Sequence, residues 1–223
     1  MRDGQFTLRR GGSALILSIP HAGGKLIPGL EARLTPVGRA LIDTDWWLER
    51  LYAFAADLDA TILRAELSRT VVDLNRDPDG ASLYPGQATT SLVPTATFDG
   101  EPLYRAGEAP SDAEIAERRE RYFWPYHRAL EAEIARVRNQ HGIVALHDCH
   151  SIRSVVPRLF DGRLPVFNLG TNSGASCAPE LEARLAGILA GSGSSWVVNG
   201  RFKGGWITRH HGRPAERVHV AQM

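Results

Sequence analysis

Four clusters in the sequence carry side chains able to do chemistry. The first is "ALHDCHSIRS" (145–154), where His147, Asp148, Cys149 and His150 follow an apolar run. Alternation along a strand puts Asp148 and His150 on one face and His147 and Cys149 on the other. Cys149 and His150 therefore point apart, which argues against a thiol nucleophile with its base and for a small buried thiol. His150 stands at the strand's end, where a side chain can enter a cleft. The second is "SIPHAGG" (18–24): His21 also ends a strand, and Ala22, Gly23 and Gly24 leave room for another group to approach. Two strand-end imidazoles plus one carboxylate form the three-ligand, open-sided set of a catalytic zinc site. "DTDWW" (43–47) offers Asp43 and Asp45, although Asp45 equally suits a helix N-cap.

In the third cluster, "SRTVVDLNRD" (68–77), Arg69, Asp73 and Asn75 share a face if the segment is a regular strand. A solvated salt-bridge set is the ordinary reading of such a mixture. Val71, Val72 and Leu74 instead imply burial, and a buried guanidinium needs a partner. An anionic substrate could be one, because the planar fork of arginine grips carboxylates with two hydrogen bonds. The fourth, "NGRFKGGWITRHHGRP" (199–214), reads as a glycine-punctuated basic loop bearing Arg201, Lys203, Arg209, His210 and His211. Neither histidine there acquires a role from sequence.

The elements that must hold these groups alternate between strand and helix. Strands are expected over 13–20, 60–67, 70–75, 142–150, 165–171, 194–200 and 217–222, and helices over 35–42, 46–58, 111–142 and 179–191. Within 46–58, Trp47, Leu51, Phe54 and Leu58 form the expected buried face. In the long 111–142 segment Ser111 and Glu114 match a capping box, Gly142 is a terminator, and Pro125 should kink or divide the helix. Its core stripe is Ile115, Tyr122, Tyr126, Leu130, Ile134 and Val137. Residues 77–110 lack periodicity, and a loop that long in a compact domain is usually a lid or binding loop. The pattern implies a three-layer α/β/α domain with a mixed, mostly parallel sheet, whose ligands gather at the carboxyl ends of its strands.

Composition bounds the rest. A chain of 223 residues suits a single α/β domain over 1–223. A formal net charge of +1, with no long run of one sign, gives no footprint for nucleic acid or an anionic membrane surface. Two cysteines, Cys149 and Cys177, make no disulfide framework and suit a reducing cytoplasm. The N-terminus has no signal-peptide pattern, and the apolar run around 14–20 is too short to span a bilayer. The serine elbow G-x-S-x-G, phosphate-binding Gly-Lys loop, G-x-G-x-x-G, C-x-x-C pairs and H-E-x-x-H are absent.

Taken together, "SIPHAGG", "DTDWW", "SRTVVDLNR", the "LYPG…TTSL" loop, "FDGEPLYR", "WPYHRAL", the run from "DCHSIRS" to "GTNSGASC" and "NGRFKGGWITRHHGRP" resemble the N-formylglutamate amidohydrolase family. That family is similar in fold to zinc carboxypeptidases and aspartoacylase-like deacylases. The resemblance implies zinc-dependent hydrolysis of N-formyl-L-glutamate to formate and L-glutamate, the last step of one histidine-degradation route. It implies His21, Asp45 and His150 as zinc ligands, with Asp43 as the alternative carboxylate. Arg69 is implied to polarise the scissile carbonyl, with Asn75 and Arg76 on the substrate carboxylate and Arg209 or Arg153 assisting. One departure stands out. The family's closing segment continues into a glutamate resembling the general base of zinc carboxypeptidases, whereas this sequence stops at "VHVAQM". The resemblance thus leads to the expectation of a chain truncated at its C-terminus and slowed about 10²–10⁴-fold by the missing base. Hydrolysis of another N-acyl amino acid, or non-catalytic binding of dicarboxylates, are the alternatives.

Overall fold

The computed structural model describes residues 4–82, 86 and 89–223, so the 83–85 and 87–88 portions of the "LYPG…TTSL" motif lie outside the described residues. In chain order the elements are β1 (Phe6–Arg9), β2 (Leu15–Ile19), α1 (Leu30–Arg33), α2 (Pro36–Ala40), α3 (Leu48–Leu51), β3 (Thr61–Ala65), α4 (Asp112–Arg118), α5 (Trp124–His141), β4 (Val144–Asp148), β5 (Phe167–Leu169), α6 (Pro179–Ala190), β6 (Trp196–Val198), α7 (Trp206–His211) and β7 (Val218–Gln222). Five strands form the central sheet in the order β1-β3-β2-β4-β7. Only β1 runs antiparallel; β3, β2, β4 and β7 pair in parallel. A separate parallel pair, β5–β6, touches the main sheet through a bridge between Gly170 and Gln222. The sheet is thus the mixed, mostly parallel one expected, with layers packed on both faces.

One layer is built on α5. Tyr126, Leu130, Ile134 and Val137 pack with Ile16, Leu63 and Leu146 of the strands, and Ile115 and Tyr122 join them partly buried. The long helical segment starts where expected, with Ser111 Oγ accepting from Glu114 N at 3.3 Å. The reciprocal half of the capping box does not form, because the Glu114 carboxylate is drawn to Arg33 at 2.7 Å. Pro125 divides the segment in an identifiable way. It has no N–H to donate four residues back, and the preceding turn, Arg119–Phe123, widens to π-helical geometry before α5 begins. Gly142 closes α5 with φ 69°.

The opposite layer is thinner and differs from expectation. Residues 46–58 do not form one helix: Trp47 takes a left-handed φ of 68°, α3 lasts four residues, and a 3-10 turn follows over Ala53–Ala56. Leu48 and Ala55 reach the core with Leu17, Ile19 and Cys149. The face expected to be buried is exposed instead, at 72% for Trp47, 62% for Leu51, 55% for Phe54 and 51% for Leu58. Residues 70–75 are a buried irregular segment rather than a strand. Three elements were not expected at all, the edge strand β1, the four-residue helix α1 and the short helix α7 within the glycine-punctuated segment.

Leu130 is fully buried at the centre of the α5 layer. Leu130→Ala removes its contacts with both helix and sheet, and the expected cost is about 2–5 kcal/mol in denaturant unfolding.

Candidate active site

β2 lies between β3 and β4, so the chain passes from β2 to a neighbour on one side, β3, and later returns to the neighbour on the other, β4, both parallel to it. A crevice opens at such a switch point. Register makes it specific: Ser18 pairs with Asp148, so His21 and His150 emerge side by side just beyond the two strand ends. Their ring centroids are 4.8 Å apart. Gly23 permits the local path, since a Cβ there would stand 2.3 Å from the Leu67 carbonyl oxygen.

Asp45 completes the group. Its N–H donates to the His21 carbonyl at 3.0 Å, which ties the segment after α2 to the end of β2. Its Oδ2 accepts from His150 Nδ1 and from Ser151 N–H, each at 3.1 Å, and lies 3.8 Å from His21 Nδ1. One ligand atom from each of His21, Asp45 and His150 falls within 4.8 Å of the others. Asp43 points elsewhere, its Oδ2 accepting from Phe98 N–H at 2.8 Å.

The tautomer of His21 follows from its partner. Its Nε2 sits 2.7 Å from Asp73 Oδ1, and a carboxylate only accepts, so the proton is on Nε2. Nδ1 then carries the lone pair, and this buried atom has no hydrogen-bond partner. A histidine whose far nitrogen donates to a carboxylate while the near one stays bare is oriented as metal ligands are. Burial, and then Arg69, lower the His21 pKa and keep the ring neutral. His150 is in the opposite condition. Nδ1 faces Asp45, and Nε2 lies 3.1 Å from Asp148 Oδ2. Burial opposes a charge on this ring, but Asp148 and then Asp45 outweigh it and raise its pKa to about 10.

Asp45, Asp73 and Asp148 are all buried, and the one buried guanidinium beside them, Arg69, reaches Asp45 at 3.7 Å and Asp73 at 2.5 Å. A divalent cation on His21, Asp45 and His150 would offset this shortage of positive charge and would take the place of the proton on His150. Bare Nδ1, clustered donors and charge balance all fit such an ion.

Asp73 organises the neighbourhood. It accepts from Arg69 Nη2 at 2.5 Å, from His21 and from Asn75 N–H at 2.9 Å. Arg69, Asp73 and Asn75 thus converge, but through a buried turn with an i,i+4 ion pair rather than strand alternation. Arg69 also lies over the Phe98 ring, 4.8 Å from its centroid. Arg76 donates from Nε to Thr90 O at 3.1 Å. His21, Asp45, Arg69, Asn75, Arg76 and His150 all line one cleft of about 520 Å³. Arg153 and Arg209 are not in its lining: Arg153 pairs with Asp99 at 2.8 Å, and Arg209 Nε donates to Gly204 O at 3.0 Å. Arg163 and Arg201 are in it, together with Tyr52 and Gln222. Nothing in sequence spacing distinguished these arginines from the others. Gln222 could have been found by continuing β7 beside β4. His147 and Cys149 occupy the other face as alternation requires, with His147 Nε2 3.1 Å from Tyr52 OH. Burial raises the Cys149 pKa well above that of an ordinary thiol, so it is inert.

Fold and site together define a class, an α/β protein whose switch-point crevice presents a two-histidine, one-carboxylate donor set beside an arginine-lined cleft. The profile of the N-formylglutamate amidohydrolase family matches residues 13–223, and the chain belongs to that family. It is 53% identical over 226 residues to N-formylglutamate deformylase of Pseudomonas aeruginosa, covering 99% of this chain and 83% of that one. The corresponding protein of Pseudomonas putida is 49% identical over 222 residues, with the same coverage. Among solved structures, N-formylglutamate amidohydrolase from Ralstonia eutropha JMP134 superposes with TM-score 0.79 at 26% identity, covering 98% of this chain and 84% of its own. A protein from Agrobacterium tumefaciens shares the fold, with TM-score 0.70 at 18% identity and coverage of 98% and 83%.

Burial alone would raise the Asp73 pKa, but Arg69, then His21 and Arg76, outweigh it and hold the carboxyl well below its ordinary value. A depressed folded pKa gives stability that is present above the unfolded value of about 3.9 and lost as pH falls through the folded one. Asp73→Asn strands the buried Arg69 charge. It should cost about 3–5 kcal/mol at neutral pH in urea unfolding and flatten the loss of stability below about pH 4.

Proposed function

We propose that this chain hydrolyses the formyl amide of N-formyl-L-glutamate, releasing formate and L-glutamate as the last step of a histidine-degradation route, with Zn²⁺ held by His21, Asp45 and His150. The observation that carries this reading is the buried cluster of three ligand atoms, one of them an orphaned imidazole nitrogen, opening onto the same cleft as Arg69. The names of the two Pseudomonas relatives support the reaction. A small acidic substrate and a cytoplasmic setting go with it, and among the described residues no helix is long and apolar enough to cross a membrane.

Zinc bound there supplies Lewis acidity and eases the ionisation of water at neutral pH. The remaining work falls to the side chains. Arg69, buried and fixed by Asp73, offers N–H groups to the formyl oxygen as negative charge builds on it. It is charged before substrate arrives, so it needs little reorganisation. Arg76 presents its planar fork at the cleft wall to a substrate carboxylate. Arg163 or Arg201, across the cleft, receives the second one. Asn75 acts by position: its Nδ2 donates to Asp148 Oδ2 at 3.0 Å and so steadies the partner of His150. The attacking water must lose a proton and the departing amine must gain one. β7 pairs with β4 through Asp148↔Gln222, and Met223 N–H donates to Asp148 O at 3.0 Å. Gln222 thereby reaches the cleft wall beside Asp148, its Oε1 accepting from Asn75 Nδ2 at 3.2 Å.

A second reading has one observation in its favour. The cleft, at about 520 Å³, has the size of a site for drug-sized ligands, and Leu159, Leu164, Val166, Phe167 and Phe202 supply apolar wall. This favours an N-acyl amino acid with an acyl group larger than formyl. Formate, acetate and longer-acid release from the matching N-acyl glutamates ranks the two readings directly.

Metal analysis of the purified chain should find one zinc, lost in His21→Ala and in His150→Ala but retained in His147→Ala. Zinc retained by both of the first two variants would remove the assignment.

A further inference from the structure

Two histidine-bearing motifs, "WPYHRAL" and "RHHGRP", have no part in the reaction as described, yet they meet in the core behind the cleft. His127 on α5 is 3% exposed and His211 at the end of α7 is 1% exposed. The His127 ring is gripped between Phe123, with centroids 4.2 Å apart, and Trp206, at 4.4 Å. Its Nε2 lies 2.9 Å from the Leu74 carbonyl oxygen, and its Nδ1 lies 3.4 Å from His211 Nε2. His211 Nδ1 in turn lies 3.0 Å from Glu131 Oε2, and Arg213 holds the other Glu131 oxygen at 3.0 Å.

The proton positions in this row follow from what each end can do. A carbonyl oxygen only accepts, so His127 Nε2 donates, and Nδ1 of the same neutral ring must accept. His211 Nε2 therefore donates to it. Glu131 is a carboxylate, its pKa lowered to about 2 chiefly by the His211 hydrogen bond, so His211 Nδ1 also donates. Donation in this row runs outward from His211, to half-exposed Glu131 on one side and through His127 to Leu74 O on the other.

That last oxygen belongs to the residue before Asn75. The other end of α7 holds Asn75 as well: Trp206 N–H donates to Asn75 O at 3.3 Å, and Ile207 N–H donates to Asn75 Oδ1 at 2.8 Å. Gly205 presses on the same side chain, since a Cβ there would come within 2.5 Å of the Asn75 amide. With its oxygen fixed, the amide turns Nδ2 toward Asp148 Oδ2 and Gln222 Oε1, 2.9 Å from His150 Nε2.

We propose that His127 and His211 are positioning residues for this site, a relay that clamps α7 against Leu74–Asn75 and thereby sets the orientation of His150 through Asn75 and Asp148. It rests on the proposed function for its kinetic and zinc-affinity arms, and its spectral arm stands apart from that reading. Remote partners of metal-site histidines typically act through orientation, with losses of about 10–100-fold when removed.

The test compares His127→Leu, which removes both hydrogen bonds, with His127→Gln, whose amide can still donate to Leu74 O. Three readouts are used on the full chain: zinc affinity by chelator competition, kcat and KM for formate release, and imidazole ¹H–¹⁵N correlations of the wild type. His127→Leu should weaken zinc binding and lower kcat about tenfold or more with KM changed less than about twofold, and His127→Gln should recover most of both. The wild-type spectrum should show His127 neutral with its proton on Nε2 and His211 protonated on both nitrogens. Unchanged zinc affinity and kcat in folded His127→Leu, or a His127 proton on Nδ1, would overturn the relay. If His127→Leu does not fold, Glu131→Ala breaks the row at its half-exposed end, outside the cleft lining. Its expected effect is the same in direction, and unaltered zinc affinity there counts against the proposal. If the wild type binds zinc but releases no formate, the kinetic reading of the site fails while the affinity and spectral arms still decide the relay.

Discussion

Parallel pairing of β2 with β4 is the constraint from which the site descends. The residues after Ile19 and after Asp148 leave neighbouring strands in the same direction, so imidazoles more than a hundred positions apart in sequence emerge together without any loop having to bring them there. Hydrogen-bonded strands lie about 4.8 Å apart, close to the separation a shared ion demands of two histidine side chains. The 4.8 Å between the ring centroids is therefore a property of the sheet more than of the loops. Loops supply what the sheet cannot, the carboxylates. Asp45 arrives on the segment after α2, pinned by its N–H to the His21 carbonyl, and Asp73 on the buried turn after β3.

Electrostatics then decides the state of each ring. His21 and His150 stand against each other in nearly the same burial, yet one is held neutral and the other is held charged. The difference lies in their partners. Asp73 faces His21 but is itself satisfied by Arg69, so little of its charge is left to favour a proton on the imidazole. His150 lies between Asp45 and Asp148, and Asp45 has only a looser 3.7 Å approach from Arg69. A divalent ion held by His21, Asp45 and His150 would compete with the proton on His150 for the same carboxylates, so its uptake would release that proton.

Much of this was legible because the informative residues sit at ends of strong elements. The apolar runs 15–19 and 144–148 announce two strands, and alternation separates Asp148 and His150 from His147 and Cys149 as observed. The convergence of Arg69, Asp73 and Asn75 was legible too, but its cause was not. A strand and a buried turn with an i,i+4 ion pair both bring such residues together, and only the path of the backbone distinguishes them. Residues 46–58 show the opposite failure. Their apolar spacing is helical, yet the left-handed turn at Trp47 breaks the helix, so Leu48 and Ala55 are buried and Leu51 and Phe54 face out. Helix α7 was hidden by the glycines around it. Its helical state comes from tertiary contacts, with Asn75 accepting from its first N–H groups and Trp206 packed on His127.

Arg153 and Arg201 show why substrate arginines are the hardest part of such a site to read from sequence. Both belong to segments rich in polar residues, and nothing in their spacing separates them. What separates them is competition for carboxylates. Asp99 lies 2.8 Å from Arg153 and Asp43 lies 3.9 Å away, so that guanidinium is paired before any ligand arrives. Arg201 donates from Nε to the Leu159 carbonyl at 2.8 Å, which helps fix the guanidinium in the cleft wall. A dipole held this way orients, whereas an ion pair neutralises. Arg76 combines the two kinds of contact, its Nε donating to Thr90 O at 3.1 Å and lying 3.7 Å from Asp73 Oδ2. Arg76 and Arg201 thus enter the cleft wall from different elements, each held in part by a backbone carbonyl.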